Sequence, residues 1–123
     1  MTVLIDTNVL VDYLRRREPA LRFLDQLAGK PSTSIICVAE LFAGAASQRE
    51  ELRINTLLDG MHVIAATSDI ARRAGALVRV FRGSHNIGLA DALIAATAEQ
   101  HGLQLATLNV KHFPMLKGLK AAY

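Results

Sequence analysis

The sequence predicts an α/β domain built on a mostly parallel sheet of four to five short strands, with helices on both faces. Three observations carry that reading. Short apolar runs alternate along the chain with longer stretches of helical period. The 51% hydrophobic content includes no Trp and only 5% aromatics, so Ala, Leu, Val and Ile must fill the core, which suits helices layered on a sheet. The 123 residues show no linker, repeat or low-complexity tract, so 1–123 reads as one domain long enough to bury a core.

Residues 2–5 form a continuous apolar run, as expected of a strand buried on both faces. A helix follows Asp6-Thr7-Asn8 with Val9, Leu10, Tyr13 and Leu14 on one side. Pro19 suits the first turn of a second helix that carries Phe23, Leu24 and Leu27 inward, and Gly29-Lys30-Pro31 ends it. Residues 34–36 read as a brief strand running into a helix whose apolar face is Val38, Leu41, Phe42 and Ala45. Glu40 lies off that face, beside Ile36, Ala43 and Gly44. Residues 49–58 read as an amphipathic surface helix, and 62–65 as a third strand. Ile70, Ala71, Ala74, Leu77, Val78 and Phe81 mark a long amphipathic helix; 83–88 is a loop. The next helix starts near Leu89, carries Asp91 in its first turn and stops at Gly102. Residues 103–107 are a fourth strand, 109–113 a turn, and 119–122 a last edge strand.

Composition narrows the function. A net charge of +3 permits an anionic partner without establishing one. Cys37 is the only cysteine, which excludes an intrachain disulfide and a multi-cysteine zinc site; within Ile35-Ile36-Cys37-Val38 it reads as a core thiol. The start lacks a charged region before a cleavable apolar segment, and no apolar run approaches a membrane span of about 20 residues. The expected compartment is the cytoplasm.

Four acid or amide side chains sit at the ends of apolar segments: Asp6, Glu40, Asp91 and Asn109. Glu40 is the one formal charge between Lys30 and Arg49, and Asp91 the one between Arg82 and Glu99. Lone carboxylates in runs that look buried need a cation or hydrogen bonds to offset their desolvation. Functional side chains of a parallel α/β sheet gather at the carboxyl ends of its strands, and all four residues fall at or near that edge. Oxygen donors without soft ligands favour Mg2+ or Mn2+ over zinc. Such a cage suits phosphodiester cleavage, where bound cations activate water and stabilise the leaving oxygen. Arg15, Arg16, Arg17, Arg79, Arg82 and Lys111 are candidates to attract a polyanion.

Leu4-Ile5-Asp6-Thr7-Asn8-Val9-Leu10 resembles the opening motif of PIN-domain proteins. Val38-Ala39-Glu40-Leu41 resembles their second motif, and Leu89-Ala90-Asp91-Ala92-Leu93-Ile94-Ala95-Ala96 their third. Thr107-Leu108-Asn109-Val110-Lys111-His112-Phe113 resembles the fourth. The order is right and the motifs span nearly the whole chain, with greatest similarity to the small VapC-type toxins of toxin–antitoxin pairs. The resemblance implies a PIN-like fold and a Mg2+- or Mn2+-dependent endoribonuclease. It also implies a homodimer and inhibition by a cognate antitoxin whose extended segment covers the active site. Asp6, Glu40 and Asp91 match the family's catalytic, metal-binding carboxylates. Asn109 falls where members have Asp or Asn; it lowers the charge of the cage, and ligation, orienting a water and bonding a carboxylate all remain open to it. Thr7, Asn8 and Thr107 match supporting positions that orient the carboxylates.

Rival readings fit less well. A haloacid-dehalogenase-like phosphatase needs a second Asp where Asn8 stands, and a receiver domain needs adjacent acids near the first strand. A pure scaffold has no use for three buried carboxylates. His62, His85, His101 and His112 lack paired metal-ligand spacing; His101 reads as a helix cap and His85 as a loop residue close to Asp91. Tyr13, Leu14, Phe42 and Leu58 are candidates for partner contact as well as core packing.

Overall fold

Asp6 caps the first helix of the chain at the point where the first strand ends, so one turn sets both the fold and the site. The structure, a computed structural model, describes residues 3–123. Strand β1 (Val3–Ile5) leads through Asp6 into α1 (Thr7–Leu14), and α2 (Glu18–Asp25) returns the chain to β2 (Ser32–Ser34). Helices α3 (Ile35–Ala43) and α4 (Gln48–Asp59) precede β3 (His62–Ile64). Helices α5 (Ser68–Phe81) and α6 (Leu89–His101) precede β4 (Gln104–Ala106), and a 3-10 turn follows at Val110–His112. Residue 2 of the expected first strand lies outside the described residues.

Among the described residues the four strands form one sheet in the order β3-β2-β1-β4, with every pairing parallel. Residues alternate between its faces. Leu4 and Leu105 pack with Ile70, Ala74, Leu77, Ile94 and Phe113 on the α5–α6 side. Ile5 and Ala106 pack with Val9, Leu10, Leu41, Ile54 and Met61 on the other. The chain first builds outward from β1 through β2 to β3, then crosses to add β4 on the opposite side of β1. That reversal falls between β1 and β4, and the carboxyl ends of strands at such a reversal are the usual ligand position of these sheets.

Two expected elements are corrected. The second strand is not 34–36 but Ser32–Ser34, and Ile35 and Ile36 open α3 instead. The Ser34 hydroxyl accepts the Ile36 N–H at 3.0 Å, which ends the strand and caps the helix. Polar residues disguise the strand: all three are fully buried, with the Thr33 hydroxyl donating to the Ile5 carbonyl at 2.9 Å. Residues 119–122 form no strand. The Ala122 N–H donates to the Thr107 carbonyl at 2.9 Å, one bond where a ladder needs several. Among the described residues no helix is long and apolar enough to cross a membrane.

Candidate active site

Asp6 is 5% exposed, and its carboxylate is held from three directions. Oδ1 accepts the Thr7 N–H at 2.8 Å, and Oδ2 accepts the Thr107 hydroxyl at 2.7 Å and Asn8 Nδ2 at 3.3 Å. These partners bond one another. Asn8 Nδ2 also reaches Thr107 Oγ1 at 3.3 Å, and Asn8 Oδ1 accepts the Leu108 N–H at 3.1 Å. The end of β4 is thereby fastened to the start of α1 directly over the acid. The three expected supporting residues come together, with the Thr7 hydroxyl donating to Glu40 Oε1 at 2.6 Å.

Glu40 comes from the exposed side of α3, and Asp91 from the first turn of α6. Only Asp6 of the three is buried; Asp91 is about one quarter exposed and Glu40 open to solvent, so the expectation of three buried carboxylates holds for one. Asn109 is exposed, and its backbone N–H bonds Thr107 Oγ1 at 3.0 Å, which links the amide residue to Asp6 through one hydroxyl.

The electrostatics reflect crowding of like charge. Burial raises the Asp6 carboxyl above its ordinary value; the Thr107 and Thr7 bonds pull it back, and the nearby Asp91 and Glu40 push it up again. Asp91 is raised by its partial burial, lowered by His112, and raised by Glu40. Ligating atoms of Asp6, Glu40 and Cys37 lie within 4.8 Å of one another. Burial also raises the Cys37 thiol, and its soft sulfur is a poor match for a hard divalent cation. The donors that remain are carboxylate oxygens, and they fit a hard divalent cation.

One partner was not legible in the spacing. His112 Nδ1 lies 3.1 Å from Asp91 Oδ2, across 21 residues of chain. In the sequence His112 lacks a paired metal-ligand spacing, and nothing local marks it as a partner for a carboxylate. Of the basic candidates, Arg15 shares a small cleft with Glu40, and Lys111 stands on the same 3-10 turn as His112. Arg17 pairs with Asp12 at 3.5 Å instead.

Residues 3–115 match the family model for the PIN domain. The chain belongs to the PIN-domain family, in its VapC-type branch. Ribonuclease VapC10 of Mycobacterium tuberculosis is 46% identical over 126 residues, covering 98% of this chain and 92% of its own. Ribonuclease VapC19 of the same species is 37% identical over 124 residues, covering 98% of each chain. Among solved structures, a toxin–antitoxin complex from Klebsiella pneumoniae superposes with a TM-score of 0.86 at 33% identity, covering 99% of this chain and 98% of that one. This PIN domain therefore shares its fold with VapC-type proteins along nearly its full length.

Proposed function

We propose that this PIN domain is the toxin of a type II toxin–antitoxin pair, a Mg2+- or Mn2+-dependent endoribonuclease that hydrolyses RNA phosphodiester bonds. The single observation that carries the reading is the proximity of three carboxylates: ligating atoms of Asp6 and Glu40 lie within 4.8 Å, and Asp91 is near enough to interact by charge with both. The similar proteins, ribonucleases and a toxin–antitoxin complex, agree with it.

Asp6, Glu40 and Asp91 would hold the cation, with Asn109 supplying an amide oxygen at the rim. When bound, such an ion activates a water and offsets the charge that grows on the leaving oxygen. The protein's own residues supply orientation. Thr107, Asn8 and the Thr7 N–H fix both oxygens of Asp6, while the Thr7 hydroxyl holds Glu40 through Oε1. Arg15 and Lys111 give the phosphate backbone a positive approach beside an otherwise acidic mouth.

An antitoxin is the expected partner. A cleft of about 690 Å3 between α1, α2 and α4 is lined by Tyr13, Leu14, Leu24, Leu52, Leu57 and Met61, an apolar seat for a partner segment. Leu52 is 67% exposed on its rim. Homodimerisation and action on RNA in the cytoplasm belong to the same reading.

The test is induction of wild type and Asp6→Asn in a bacterial host, with total RNA mapped for new 5′ ends. Growth arrest with discrete new ends in wild type alone is the expected result. Soluble wild-type protein that leaves growth and RNA ends unchanged would count against the reading.

A further inference from the structure

Asp91 stands in the first turn of α6 and not at a strand end. Among the described residues its carboxylate has one hydrogen-bonded side-chain partner, the His112 imidazole. A carboxylate only accepts, so Nδ1 carries the hydrogen and donates to Oδ2. His112 is itself well held. Its backbone N–H bonds the Asn109 carbonyl at 3.0 Å, and the next residue, Phe113, is 1% exposed in the core. At the other end of the same segment, the Asn109 N–H bonds Thr107 Oγ1, which bonds Asp6 Oδ2. Residues 107–113 thus touch Asp6 through Thr107 and Asp91 through His112, although the two acids come from different ends of the chain.

We propose that His112 is a positioning residue for Asp91, engaging Oδ2 so that Oδ1 is the oxygen left to ligate a divalent cation. The proposal rests on the metal-dependent reading above. The terminal torsion of an aspartate is broad, so an unheld Asp91 on a half-open helix end offers either oxygen over a range of angles. A hydrogen bond from outside the ligand set removes that freedom before the ion arrives, which is how outer partners raise metal affinity. The pair has little to offer global stability, because the His112 side chain is 57% exposed and exposed ion pairs contribute weakly. Its effect belongs on cation affinity and not on the melting temperature.

The probe is Mn2+ itself, titrated calorimetrically into the full-length, metal-stripped protein, with melting temperatures measured alongside. His112→Ala is expected to weaken Mn2+ binding by about 10–100-fold at an unchanged melting temperature. His112→Asn, whose Nδ2 can stand where Nδ1 stood, is expected to recover most of the affinity. His101→Ala, at the far end of α6, serves as the unaffected control. Unchanged Mn2+ affinity in His112→Ala overturns the proposal, and a fall in RNA cleavage alone would then assign the ring to the substrate. Equal loss in the Ala and Asn variants also overturns it, in favour of direct ligation by the imidazole. Wild type that binds no Mn2+ overturns it together with the metal-dependent reading, whereas Mn2+ binding indifferent to His112 removes only the positioning role.

Discussion

At Asp6 a buried carboxylate is retained in spite of its desolvation because three donors address it, and removing its charge separates function from stability. Asp6→Asn should abolish RNA cleavage while raising the metal-free melting temperature at neutral pH by on the order of 3 °C. The sign follows from linkage. Both Asp6 and Asp91 have folded values above the ordinary 3.8, so the native state binds these protons more tightly than the unfolded chain. Their destabilising effect is absent below the unfolded value, grows as pH rises through the raised folded value, and is complete above it. Melting curves in EDTA between acid and neutral pH should therefore show the gap between Asp6→Asn and wild type widening as pH rises. Thr107→Val tests the support of the acid. It removes the hydroxyl that donates to Asp6 and accepts from Asn8 and Asn109. Cleavage should fall by about 10–100-fold, and thermal denaturation should register a loss of about 1–3 kcal/mol from the buried Asp6 carboxylate that loses its shortest hydrogen bond. The acids themselves were legible in the sequence because each is a lone charge in an apolar setting. His112 was not, since its partner lies 21 residues away and no local period links them.

At the scale of elements, helices were read more reliably than strands. Helix α5 repeats its apolar residues through Ile70, Ala74 and Leu77, all buried, and Gly102 ends α6 where the sequence placed the stop. Gly102 adopts φ +63 with open space around it, so Gly102→Ala meets backbone strain and no clash. A loss of about 1 kcal/mol in thermal denaturation is expected. Strand β2 was displaced because the apolar signal belongs to the first turn of α3, while the buried strand is Ser-Thr-Ser. Hydroxyls that find partners inside the sheet make a strand that hydropathy cannot see. The 3-10 turn depends on its anchor. Phe113→Ala should cost about 3–5 kcal/mol by chemical denaturation, and should impair cleavage in whatever protein still folds, because His112 and Asn109 lose their fixed frame.

For the whole molecule, sheet order brings the first and last of four scattered motifs together. Parallel strands with crossing helices were predictable from the alternation of elements, but the order β3-β2-β1-β4 was not, because hydrophobic pattern fixes which face a strand buries and not which neighbour it takes. Placing β4 beside β1 brings Thr107 onto Asp6 across 101 residues of chain. The tail adds to that end of the sheet: the Ala122 N–H bonds the Thr107 carbonyl, and the Tyr123 hydroxyl donates to Asp12 at 2.6 Å. On the function proposed above, Asp6, Glu40 and Asp91 act together through a divalent cation on RNA. The most direct measurement of this is the cleavage rate of host total RNA by metal-stripped wild type and Asp6→Asn as Mn2+ is added. The expected rate is nil without metal, rises to saturation in wild type, and stays nil in the variant. Cleavage by wild type that needs no metal, or equal cleavage by Asp6→Asn, would contradict the proposed function.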